Sequence, residues 1–316
     1  MKGIILMNRI PYPCINGEFV TVYRPKGDIY KGDDSFYFKK GNYYFNWTVN
    51  DFSILNDKSK WHLVGITHPT PPDFIDEFTL TRALHDAENM MFHATASGET
   101  MADILYDSAF ADCEKILYPY DRIGEIKECH APHILPDKKG GYNIFYGPQY
   151  MRMASTSNFL NFSLSTLFKE HPSARDPFVF EDDDGTYYFV YAVENRIDYR
   201  TTEDFINFSL PSTLQVNPWN DGNGNCAASE SPFLFKRKGF YYLMWTIWDR
   251  RAGSYDHRCF LFGARTLQEL STTAPLTVLP AHAGEFYSDS SGDYLLSAFY
   301  PENGINVAPL IWKNDF

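Results

Sequence analysis

The chain has 316 residues, 44% hydrophobic and 17% aromatic, which is enough apolar material to bury a large core and too much for a disordered segment. Its net charge of −12 argues against nucleic acid as a partner, since that is held chiefly by basic contacts to phosphate, and it disfavours anionic membranes. Five cysteines, Cys14, Cys113, Cys129, Cys226 and Cys259, lie dispersed without Cys-x-x-Cys spacing, so free thiols are expected rather than a disulfide framework or a zinc site.

In chain order, the first apolar run (4–7) is too short for the core of a signal peptide or for a bilayer span. As given, the chain reads as cytoplasmic, or as secreted or periplasmic if a signal has been removed. Residues 8–33 are rich in Pro, Gly and Tyr, with a strand expected at 18–23 that helps to close a ring. Residues 34–48 read as a hairpin of their own, pairing 35–38 with 43–47 across a turn at 39–41.

Five further hairpins follow one grammar: an apolar or aromatic run, a turn, and a second such run. The clearest is Arg175-Asp176-Pro177-Phe178-Val179-Phe180, a turn ending at Gly185, and Thr186-Tyr187-Tyr188-Phe189-Val190-Tyr191. Its counterparts run 131–135 with 142–146, 230–235 with 241–245 and, more loosely, 51–55 with 61–64 and 285–287 with 294–296. Thr156-Ser157-Asn158-Phe159-Leu160-Asn161-Phe162 and Thr202-Glu203-Asp204-Phe205-Ile206-Asn207-Phe208 repeat in phase with them, as though each ended the inner half of a blade with the same turn. Between 69 and 118 the grammar lapses, and 74–93 has helical spacing and carries His85, Asp86, Glu88 and His93. Repeats that cannot bury their own faces must stack, and radial stacking of small sheets predicts an all-β, five-bladed β-propeller. It forms one domain over 1–316, with a partly helical insertion near residues 69–118.

Three repeats carry candidate catalytic acids at or near their starts: Asp51, Asp176 and Glu230. Innermost propeller strands start at the mouth of the central channel, so these acids are expected to converge, and proximity raises the pKa of at least one. Glycoside hydrolysis needs that pairing of a protonated acid with an ionised partner. An Asp heading a strand also serves turn donors, whereas Glu230 has no comparable turn role. No P-loop, dinucleotide fingerprint, His-Glu-x-x-His or nucleophile elbow occurs.

These motifs resemble the five-bladed β-propeller glycosidases of families 43 and 32, in particular an atypical group between the two. Arg175-Asp176-Pro177 is similar to the motif whose Asp steadies the transition state, and Glu230-Ser231-Pro232 to the one whose Glu is the general acid. Trp47-Thr48-Val49-Asn50-Asp51 resembles the stretch bearing the base or nucleophile, with Phe52 where the family has Pro; Asp34, or Asp33 beside it, is the rival first acid. The resemblance implies carboxylate catalysis by Asp51, Asp176 and Glu230 on an oligosaccharide or polysaccharide with a furanosidic or pentose-type bond. Trp47, Asn50, His130, Arg175 and His282 would contact the sugar, and His133 is a second histidine there that equally suits a packed strand position. It implies no required cofactor and no protein-bound metal in the reaction, and it allows a channel cation such as calcium. Trp219, Trp245, Trp248 and Tyr150 are further candidates to stack on sugar faces. A glycosyl-transferring enzyme using the same pocket and a non-catalytic glycan-binding propeller are the rival functions.

Overall fold

Five antiparallel sheets stand around a common axis in the computed structural model, which describes residues 10–58, 60–70, 87–118, 128–148, 150–168, 173–217, 228–248 and 258–314. The chain begins with β1 (Tyr12–Ile15), β2 (Val20–Tyr23) and a small ribbon of β3 (Asp28–Ile29) with β4 (Tyr43–Tyr44). The first blade is β5 (Trp47–Asn56), β6 (Trp61–Pro69), β7 (Met91–Ala96) and β8 (Ala111–Asp112). The second is β9 (His130–Pro136), β10 (Tyr142–Gly147), β11 (Met151–Thr156) and β12 (Thr166–Phe168). The third is β13 (Ala174–Glu181), β14 (Tyr187–Val193), β15 (Arg196–Thr202) and β16 (Ser212–Val216). The fourth is β17 (Ala228–Arg237), β18 (Phe240–Trp248), β19 (Arg258–Ala264) and β20 (Thr277–Pro280). The fifth has β21 (Glu285–Asp289), β22 (Gly292–Ala298) and β23 (Ile305–Lys313), and β1 completes it from the other end of the chain.

Ring closure therefore joins the first and last strands. Tyr12 opposes Lys313 and Ile15 opposes Leu310, while β2 pairs with the start of β23, Val20 opposite Val307. The five-bladed all-β expectation holds, including the closing strand near 18–23. A heavily apolar strand fits this architecture because both of its faces are buried. Along β14, Tyr187, Phe189, Tyr191 and Val193 enter the core shared with the second blade, while Val190 and Ala192 enter the core shared with the fourth. Each of the five seams between blades holds one such cluster, and inner strands pack on inner strands from β5 through β21.

Three local expectations change. Tyr43 and Tyr44 pair with Ile29 and Asp28, not with 35–38, which fold into a turn closed by Ser35 N donating to Phe38 O at 2.8 Å. Of the helical stretch expected over 74–93, residues 74–86, with His85 and Asp86, lie outside the described residues; His93 falls on β7, and the helix described in 87–118 is one 3-10 turn, Met101–Ile104. Strand wins at 91–93 because Met91 and Phe92 bury in seam cores on either side of the blade. The paired heptapeptides link third to fourth strands rather than ending the inner half of a blade. In each, the leading Thr hydroxyl accepts two backbone amides and the side chain two residues on accepts two more. No helix among the described residues is long and apolar enough to cross a membrane.

Candidate active site

The ladder between the first two strands of a blade fixes which residues are equivalent. Ile54, Ile134, Val179, Leu234 and Phe286 oppose Leu63, Ile144, Phe189, Leu243 and Leu295. Counting back four positions places Asn50, His130, Arg175, Glu230 and His282 in one tier around the mouth, and counting back three places Asp51, Ala131, Asp176, Ser231 and Ala283 in the next. Glu230 is thus the partner by position of Arg175, not of Asp51 and Asp176 as the sequence alignment of acids had it.

A bulge explains why Glu230 nevertheless joins the two aspartates. The register slips between Val49 and Phe52, between Arg175 and Phe178, and between Glu230 and Phe233. Such a slip suspends the alternation of a strand, so two successive side chains can serve the same site. Pro132, Pro177 and Pro232 suit it because they have no N–H to leave unpaired. The residue before each takes a left-handed φ, 43° at Ala131, 56° at Asp176 and 51° at Ser231, a strain that recurs at functional sites.

Two connectors tie the carboxyl groups together. The Ser231 hydroxyl donates to Asp51 Oδ1, and its amide donates to Asp176 Oδ2 at 3.0 Å. Arg175 Nη2 donates to Glu230 Oε1 at 3.1 Å and to Ser229 O at 3.0 Å, while Nη1 lies 3.5 Å from Asp176 Oδ2. One positive charge therefore faces three acids. Burial first, then the charges of Asp176 and Glu230, push the Asp51 carboxyl up to about 8, against the smaller opposing pull of Ser231 and Arg175. Burial also raises Asp176, although Arg175 opposes it, and Arg175 itself stays charged because its acidic neighbours outweigh its burial. Burial and the neighbouring acids thus favour the protonated form of Asp51 in the free site.

The remaining expected residues take different places. His130 sits 3.0 Å from Glu88 Oε2; burial disfavours its charge, but Glu88, helped by Glu128 and Asp176, more than compensates and raises it. Asn50 Oδ1 is buried without a hydrogen-bond partner among the described residues. His282 is buried beside Phe299, ring centroids 4.3 Å apart, and its amide donates to Ser297 Oγ. Trp47 is corrected: it is 1% exposed, its Nε1 donates to Tyr44 O and Lys115 Nζ covers its ring at 4.4 Å, so it presents no face to a sugar. Trp245 is core, and Trp219 and the Trp248 side chain lie outside the described residues. Asp34 caps its own turn through Lys40 N at 2.8 Å and stands apart from the three acids.

Further along the inner strands, His133, Phe178, Phe233 and Glu285 help to line a channel cavity of about 30 Å³, room for about one water. His133 packs 4.4 Å from Phe178, and burial lowers it to about 3. Among the described residues no three His, Cys, Asp or Glu side chains converge to hold a metal. Three contributors escaped the sequence reading: Ser231, Glu285, and Glu88 as the partner of His130. Aligning the repeats on their second strands, rather than on their acids, would have put Ser231 in the tier of Asp51 and Asp176.

No protein-family model matches the chain, and no curated protein matches it by sequence. Solved structures do. A thermostable family-43 glycoside hydrolase shares 16% identity at a TM-score of 0.59, covering 84% of this chain and 89% of the other. A family-43 enzyme from Xanthomonas citri complexed with xylose shares 14% at 0.57, covering 84% and 87%. A family-43 β-1,3-galactosidase with galactodeoxynojirimycin shares 14% at 0.55, covering 91% and 93%. At these identities the likeness shows the propeller fold. The family-32 side of the resemblance rests on the motifs alone.

Proposed function

We propose that the protein is a glycoside hydrolase acting on a furanosidic or pentose-type glycoside, with Glu230 as general acid, Asp51 as base or nucleophile, and Asp176 orienting Glu230 and the sugar. One observation carries this: Asp51, Asp176 and Glu230, from three blades, are joined through Ser231 and Arg175 at a single channel mouth. Family-43 enzymes with the same fold, one complexed with xylose and one with galactodeoxynojirimycin, support a carbohydrate substrate.

Burial and the neighbouring acids favour a protonated Asp51 in the free site, whereas cleavage requires a proton on Glu230 and a charged Asp51. A sugar whose hydroxyls engage Arg175 loosens the pair with Glu230 and lets the proton move across. Glu230 then protonates the departing oxygen as the bond to the anomeric carbon breaks, and Asp51 activates water or attacks that carbon. Asp176, fixed by the Ser231 amide, accepts from sugar hydroxyls and stabilises the positive charge that develops on the ring.

The test is a screen of nitrophenyl arabinofuranosides, xylosides and galactosides, together with fructans, with the anomer first released followed by NMR. Turnover of one class with one anomer supports the reading. Binding of sugars without turnover would favour a glycan-binding propeller.

A further inference from the structure

Ser231 touches both aspartates, and the reaction described above uses only its amide, which fixes Asp176. It occupies the position of Asp51 and Asp176 in the fourth blade and is the one hydroxyl in that tier. Its φ of 51° turns the amide toward Asp176 and leaves the hydroxyl facing Asp51 across the channel, 180 residues away in sequence. Ala131 and Ala283 fill the same position in other blades at φ of 43° and 48°, so the backbone there needs no hydroxyl to adopt its shape. A serine at this position thus has contacts that the fold alone does not demand.

We propose that Ser231 is a positioning residue that pins Asp51 and Asp176 at a fixed mutual separation and holds Asp51 ready to ionise, its hydroxyl serving the first and its amide the second. The contribution to catalysis rests on the glycosidase reading; the contribution to Asp51 does not. Besides Ser231, Asp51 faces Asp176 and Arg175 on β13, Glu230 on β17 and Glu285 on β21, with His133 of β9 lining the same cavity and His130 of β9 acting on Asp176. The acids favour its neutral form and Arg175 favours its charged form; the Ser231 hydroxyl is the hydrogen bond on the side of Arg175.

The experiment follows the carboxyl carbons of aspartate by NMR across a pH titration in the whole protein and in Ser231→Ala, Ser231→Gly and Ser231→Cys, with the Asp51 signal assigned through Asp51→Asn. Alanine is already tolerated at this position in two blades, and glycine is at ease at positive φ, so at least one variant retains the fold. Loss of a hydrogen bond to a charged group should raise the Asp51 midpoint by about one to two units in the alanine and glycine variants and by less in the cysteine variant. The Asp176 midpoint, whose amide partner remains, should move less. On any substrate the parent turns over, kcat should fall about tenfold or more with KM little changed, and the acid limb of the pH profile should move up with the Asp51 midpoint. A folded alanine or glycine variant with an unmoved Asp51 midpoint overturns the assignment, as does a moved midpoint with an unmoved pH profile. A parent inactive on every glycoside removes the catalytic reading, while the titration still decides what Ser231 does to Asp51.

Discussion

Arg175 Nη2 donates to Glu230 Oε1 at 3.1 Å across the seam between the third and fourth blades, and the same nitrogen reaches Ser229 O at 3.0 Å. Arginine suits this place because its planar fork serves several acceptors at once. Arg175→Met should lower kcat roughly 10- to 100-fold, since Glu230 loses the group that aims it. Arg175→Lys should keep the charge but recover only part of the rate. Steady-state kinetics on one substrate checks both, and equal rates for Met and Lys would show that aim, rather than charge, is what Arg175 supplies.

The pH dependence of stability has two limbs. Burial raises Asp51 to about 8 and shifts Asp176 and Glu285 the same way, so the native state holds these protons more tightly than the unfolded chain does. The stability they add is complete below the unfolded carboxylate range and is lost as pH rises from about 4 toward 8. His93 and His133 act in the opposite sense: burial lowers each to about 3, so stability is complete above the ordinary histidine range and lost as pH falls from about 6.5 toward 3. The melting temperature should therefore be highest between about pH 4 and 6, fall on the acid side as the histidines charge, and fall most steeply above about pH 6.5, where only the carboxyl limb acts. Asp51→Asn should flatten the alkaline limb, gaining roughly 2 kcal/mol over the parent at pH 9. Thermal melts from pH 4 to 9 check it.

The matched turns after β11 and β15 should tolerate change in activity but not in stability. Thr202 Oγ1 accepts Phe205 N at 2.9 Å and Asp204 N at 3.3 Å, and Thr156 does the same for Phe159 and Asn158. Thr202→Val keeps the shape and removes both acceptors, which should cost about 1 to 2 kcal/mol in denaturant unfolding. Thr156→Val should cost a similar amount, and the double variant about the sum, because the turns lie in separate blades.

Trp47 should prove structural. It packs with Tyr30, Phe38, Ala87, Met90 and Tyr118, away from solvent. Trp47→Phe should lower stability by about 1 to 3 kcal/mol while leaving KM within about twofold. A KM raised tenfold with stability unchanged would restore it as a sugar contact.

The blades were legible because each β-hairpin carries its own signal: paired apolar runs about a polar turn, glycine-bearing in all but the first, with buried faces on both sides of the sheet. The site was legible only in part. Asp176 and Glu230 announce themselves beside Pro177 and Pro232, since a strand proline marks a bulge. Asp51 lacks that marker, because Phe52 follows it, and Asp34 competed with it until the structure tied Asp34 to its own turn. Trp47 misled because an aromatic beside a catalytic motif reads the same whether its ring faces a sugar or a core. The contacts of Ser231 with residues 180 and 55 positions away have no local sequence signature; they follow from ring closure and from the one-position offset between Glu230 and the aspartates.

The central claim is that Glu230 and Asp51 do chemistry on a sugar held between them. The most direct measurement compares turnover and sugar affinity, by kinetics and titration calorimetry on one preparation, for the parent, Glu230→Gln and Asp51→Asn. The account predicts that kcat falls at least about 100-fold in each variant while affinity for the product sugar stays within a few-fold. Turnover in either variant close to that of the parent would contradict it.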